Sequence, residues 1–189
     1  MYKTLKEVTQ TATQLNMTIG AFNTHNLEMM PEMIRAAKEV GVPIIIQTSI
    51  ATAKYIGYKV MVTVAKEMAE DEMVDVCLHL DHAKDFDEIK AAIDAGFSSV
   101  MFDGSALPFK ENIAKTKMVV AYAHAHGASV EGELGTIGGT EEGICVSEDD
   151  KKYTRPQDAA IFVKETNVDA LAIAIGTNHG QYQSKTEVN

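Results

Sequence analysis

Six short apolar runs recur along the chain, at residues 19–22, 43–47, 74–80, 99–102, 129–133 and 170–175, and polar residues gather at the C-terminal side of each. Runs this short, bounded by glycine, proline or polar residues, read as buried strands. The stretches between them read as helices. Asn26 caps one through Lys38, with Gly41 just past its end. Asp85 and Glu88 form a capping box before a helix that Gly96 ends. Pro108 precedes a helix through His124, ended by Gly127, and Thr154 with Gln157 caps another over 159–165. Strands apolar on both faces that alternate with helices predict an α/β fold of parallel units. The pattern counts about six such units, where a (β/α)₈ TIM barrel has eight. The expectation is one incomplete barrel domain over 1–189, with 135–152, rich in glycine and acids, as a long loop.

The polar clusters are Asn23-Thr24-His25, Gln47-Thr48-Ser49, His79-Leu80-Asp81-His82, Asp103-Gly104-Ser105, Glu131-Gly132-Glu133 and Asn178-His179-Gly180. A barrel carries its site on the C-terminal face of its strands. Polar ends on that side alone therefore point to chemistry, since stability would place polar groups on both rims. The formal net charge of −10 argues against nucleic acid and anionic membranes as partners, because both want a basic face. No apolar stretch approaches the roughly 18 residues of a membrane span, and the start is charged where a secretory leader is apolar. The expectation is a cytoplasmic protein with Cys77 and Cys145 reduced.

His79-Leu80-Asp81-His82 is the most informative cluster. Alternation puts His79 and Asp81 on one face of a strand, and a bend just past the strand turns His82 inward. A neutral imidazole suits zinc, and a carboxylate beside it suits proton transfer. The alternative is a helix-capping Asp with a solvated His. His179, followed by Gly180, is the natural second ligand. His25 reads as a helix-entry residue, His124 and His126 as surface residues, and Met29, Met30 and Met33 as core. No apolar run holds a lysine, which disfavours a Schiff base.

Gly-Ala-Phe-Asn at 20–23, His-Leu-Asp-His at 79–82, Phe-Asp-Gly-Ser at 102–105, Glu-Gly-Glu-Leu-Gly at 131–135, Gly-Gly-Thr-Glu-Glu-Gly at 138–143 and Ile-Gly-Thr-Asn-His-Gly at 175–180 resemble the class II fructose-bisphosphate and tagatose-bisphosphate aldolases. The resemblance implies zinc-dependent, reversible cleavage of a ketose 1,6-bisphosphate to dihydroxyacetone phosphate and glyceraldehyde 3-phosphate. It implies His82 and His179 as zinc ligands, with Asp103 and Glu133 near a second divalent or monovalent cation. It implies Asp81 as the acid at the bond made or broken and Glu141 as the base acting on dihydroxyacetone phosphate. Asn23, Ser49 and Gly180 match substrate-binding positions. The family's third zinc histidine and its Asn-x-x-Thr segment have no counterpart here. The expectation is a C-terminally truncated barrel that covers its open edges by forming a homo-oligomer. A catalytically impaired remnant, kept as an oligomeric metal-binding or scaffold protein, is the alternative reading.

Overall fold

The computed structural model describes residues 1–141, 144–146 and 152–180. Its elements run α1 (Leu5–Leu15), β1 (Ala21–Asn23), α2 (Met29–Val40), β2 (Ile44–Thr48), α3 (Ile50–Ile56), α4 (Tyr58–Asp71), β3 (Val76–Ala83), α5 (Phe86–Ala95) and β4 (Ser99–Phe102). They continue with α6 (Phe109–Ala125), β5 (Ser129–Leu134), β6 (Gly138–Glu141), β7 (Ile144–Val146), α7 (Pro156–Thr166), β8 (Ala170–Ile173) and β9 (Asn178–His179). Six strands form a parallel sheet in the order β1-β2-β3-β4-β5-β8. With helices between the strands, this is the incomplete (β/α) barrel expected of the sequence. No described helix is long and apolar enough to cross a membrane.

The two faces of the strands divide the packing. Ile44, Ile46, Val76, Leu78, Leu80, Val100, Phe102 and Val130 meet Ile34, Met61, Ala65, Ile89 and Val119 of the helices in one core. The alternate residues Ile45 and Cys77 pack instead with Leu5 and Val8 of α1. Helix α1 thus closes the N-terminal end of the sheet with apolar side chains. Farther along the same face come Gln47, His79 and Asp81, so polarity rises from one end of the barrel interior to the other.

Several local expectations change. Helix α1 is an addition to the expected pattern, with Thr4 and Glu7 forming a full capping box at its start. The segment expected as a long loop holds β6 and β7, which pair antiparallel, and β6 also pairs parallel with β9. Asp85 does cap α5, but Glu88 takes no part in a box: its carboxylate meets Lys54 at 2.5 Å and accepts from Tyr58 at 3.1 Å. Thr154 does not cap α7, whose N-cap is Arg155. The Thr154 hydroxyl donates to the Leu134 carbonyl instead, tying the helix entry to the end of β5.

One buried contact fixes α6 against the rim. Asn112, 1% exposed, donates from Nδ2 to the Glu133 carbonyl at 2.9 Å and accepts from Thr116 at 3.0 Å. Gly104 lies so close that an added Cβ would sit 2.2 Å from Asn112 Oδ1. Gly104→Ala should therefore lower stability by about 1–3 kcal/mol through overpacking. Asn112→Ala should cost about 1–3 kcal/mol, because it leaves the Glu133 carbonyl unpaired. Because the first clash is with the second side chain, Gly104→Ala should cost less in the Asn112→Ala background. Denaturant unfolding of the four proteins checks this, and strictly additive losses would contradict it.

Candidate active site

The polar residues meet at the C-terminal end of the sheet. By strict alternation His82 would face away from His79 and Asp81. It does not, because β3 carries one more residue than β4 between Leu80 and Ala83, and His82 adopts a left-handed φ of 48°. A bulge of this kind bends a strand and re-aims a side chain. His82 Nδ1 then lies 3.5 Å from Asp103 Oδ2 and 3.6 Å from Glu133 Oε2. Asp103 is held by its own N–H, which donates to the Ala83 carbonyl at 2.8 Å. The Ser105 N–H and hydroxyl donate to Asp103 Oδ1 at 3.1 and 2.6 Å.

Beside this group, Asp81 is 7% exposed and accepts from Gln47 Nε2 at 2.5 Å. His79, 2% exposed, shares a 2.8 Å hydrogen bond between Nδ1 and the Ser99 hydroxyl. Its Nε2 lies 3.5 Å from Glu131 and 3.9 Å from Asp81. Burial, with His82 adding, pushes the His79 imidazole down to about 3, so it is neutral. Burial pushes the Glu131 carboxyl up to about 7, reinforced by Asp81. Burial pushes Glu133 up to about 7 as well, with Asp103 adding and His82 opposing. Burial also works to raise Asp103, but hydrogen bonds from His82 and Ser105 outweigh it and hold the carboxyl well below the usual carboxylate range.

Among the described residues, one ligand atom each from His82, Asp103 and Glu133 lie within 4.8 Å of one another. Glu133 Oε2 is buried and accepts no hydrogen bond. A buried carboxylate oxygen left that way is expensive, and a cation would satisfy it. One imidazole and two carboxylates are a donor set that divalent zinc accepts. The residues present therefore fit a metal ion.

The expected site residues fall as follows. His179, on β9, sets its ring edge-to-face against His82 with centroids 5.4 Å apart. Asp103 and Glu133, expected near a second ion, gather directly around His82. Asn23 ends β1, in register with Gln47. Ser49 caps α3, accepting from the Thr52 N–H at 3.3 Å. Gly180 follows β9 with φ 76°. Glu141 closes β6, and its side chain lies outside the described residues. Gln47, His79 and Glu131 stand in the polar clusters of the sequence, but the sequence alone assigns them no role. The signal was present: parallel pairing sets Gln47 beside His79, one residue pair below Asp81 on the same face.

The family model described as "Fructose-bisphosphate aldolase class-II" matches residues 3–189. A fructose-bisphosphate aldolase from Giardia intestinalis is 46% identical over 187 residues, which are 97% of this chain and 56% of that protein. Among solved structures, an aldolase from Escherichia coli is 34% identical with a TM-score of 0.84, over 100% of this chain and 66% of its own. A putative fructose-1,6-bisphosphate aldolase from Coccidioides immitis is 32% identical with a TM-score of 0.87, over 98% of this chain and 65% of its own. The chain thus spans a little over half of the curated relative and about two thirds of the solved ones.

The two raised glutamates link stability to pH. In the folded, metal-free chain they keep protons up to about 7 that the unfolded chain releases near 4.5. Folding therefore takes up protons in that window, and their contribution is lost as pH rises through it. The buried neutral His79 works the other way below about 6.5, but two glutamates outweigh one imidazole: the metal-free chain should be less stable at pH 8 than at pH 5, and Glu133→Gln should remove part of the difference, on the order of 2 kcal/mol. Denaturant midpoints at both pH values test this; an unchanged slope in Glu133→Gln would contradict it.

Proposed function

The chain belongs to the class II fructose-bisphosphate aldolase family, and on that premise we propose that it builds the metal-binding and proton-transfer part of a ketose-bisphosphate aldolase. The reaction is reversible cleavage of fructose or tagatose 1,6-bisphosphate to dihydroxyacetone phosphate and glyceraldehyde 3-phosphate. The observation that carries the reading is the group of half-buried His82 and Asp103 with buried Glu133, beside an Asp81 that Gln47 holds in place.

His82, Asp103 and Glu133 would hold the ion, proposed to be zinc, with His179 beside them as a further ligand. Bound there, a divalent ion supplies Lewis-acid neutralisation of negative charge developing on the substrate's ketone oxygen. In cleavage, Asp81 takes the proton of the C4 hydroxyl as the C3–C4 bond breaks. The bond's electron pair moves toward the C2 ketone, and Glu141 returns a proton to C3. In the reverse direction Glu141 takes that proton from dihydroxyacetone phosphate, and Asp81 protonates the new hydroxyl. Gln47 keeps the Asp81 carboxylate turned into the site, and the neutral His79 adds no charge to it. Asn23, Ser49 and Gly180 are proposed to line the substrate pocket. A cytoplasmic location belongs to the same reading. So does self-association along the open edges β1 and β8, where Phe22 is 52% and Ile173 39% exposed.

The test joins this chain to the part of the Giardia relative beyond the matched span and follows two reactions. Asp81→Ala should lower bisphosphate cleavage by about 10²–10⁴-fold and leave tritium loss from labelled dihydroxyacetone phosphate far less affected. Glu141→Ala should slow tritium loss by a similar factor. Cleavage at the parental rate in Asp81→Ala would overturn the assignment.

A further inference from the structure

A cation stands at the rim of the carboxylate group. Lys84 follows Ala83, the last residue of β3, and its Nζ lies 3.6 Å from Asp103 Oδ2. That is the same oxygen that faces His82 Nδ1 at 3.5 Å. The lysine side chain is 53% exposed and the aspartate only 9%, so the ammonium reaches in from solvent to a buried charge. The Asp103 N–H that donates to Ala83 holds the two backbones together. The backbone that assembles the cluster therefore also delivers the lysine to it.

We infer that Lys84 is a built-in counter-ion of the His82, Asp103 and Glu133 group, displaced when a divalent cation binds there, and that it thereby sets how tightly the chain holds metal. The inference rests on the reading of those three residues as cation ligands. Asp103 stays ionised beside the raised carboxyl of Glu133, and without a metal a positive charge at its Oδ2 is favoured. Lys84 supplies one to Asp103. A divalent ion takes over that role and repels the ammonium, which the Ala83–Asp103 backbone contact keeps close to the site. A single and a double positive charge about 6 Å apart in a water-like dielectric repel by the free energy that separates binding constants about tenfold. Lys84 thus weakens metal binding while protecting the metal-free chain from its own carboxylates.

The experiment is a zinc titration of the 189-residue chain against a chromophoric chelator at low salt. Wild type, Lys84→Gln, Lys84→Arg and His82→Ala are compared. Lys84→Gln should bind zinc about tenfold more tightly than wild type, and Lys84→Arg, which keeps the charge, should stay near it. The gain should shrink at about 0.5 M salt, where exposed charges are screened. Affinity in Lys84→Gln that is equal to or below wild type, while His82→Ala loses binding, overturns the counter-ion role alone. Zinc uptake by His82→Ala equal to wild type overturns the ligand assignment, and the inference falls with it.

Discussion

One extra residue in β3, between Leu80 and Ala83, decides what the C-terminal end of this sheet can do. It breaks the alternation at the point where Asp81 already faces the interior, and it lets His82 face Asp103 and Glu133 rather than the helices. A non-glycine residue at a φ of 48° costs about 1–2 kcal/mol. The flanking strands bear it. On one side β2 pairs with β3 from Ile44–Val76 to Thr48–Leu80, and on the other the ladder with β4 resumes at Ala83–Phe102. The strain is therefore confined to the bulge, at His82.

The same end of the barrel is an electrostatic conflict. Burial opposes charge on every carboxyl it covers, yet Asp103 stays ionised because His82 and Ser105 donate to it. Glu131 and Glu133 yield instead, and keep protons to about 7. A site in which neighbouring acids are pushed in opposite directions is poised for proton transfer or for a cation. At the opposite end Leu5 and Val8 of α1 seal the sheet against Ile45 and Cys77. The apolar end stabilises the fold and the polar end uses that stability.

Much of this is legible in the sequence, because the runs that form β2, β3, β4 and β5 are short, strongly apolar and closely bounded, and each polar cluster follows its run. Asp81 can be read as facing inward from its strand, and His82 as turned inward by a bend just past it. That the bend is a bulge inside β3 cannot, since no glycine or proline marks it and only pairing with β4 reveals the extra residue. Helix α1 escapes because it is polar on most faces and buries only Leu5, Val8 and Ala12. Strand β6 escapes because glycine and glutamate are poor strand formers, and β7 because its three apolar residues stand among glycine and acidic neighbours; β6 gains its place by pairing with β7 and β9. Glu88 and Thr154 carry sound capping signals, but partners distant in sequence win them: Lys54 and Tyr58 for the first, the Leu134 carbonyl for the second. Local propensity sets the elements, and tertiary contacts reassign their polar side chains.

The central claim is that the bulge in β3 brings an imidazole and two carboxylates together as cation ligands. X-ray absorption at the zinc edge, on the chain loaded with one equivalent, looks at that shell directly. The account predicts nitrogen and oxygen neighbours at about 2.0–2.2 Å, with the outer-shell scattering of an imidazole that weakens in His82→Ala. A shell of water oxygens alone, or imidazole scattering unchanged in His82→Ala, would contradict it.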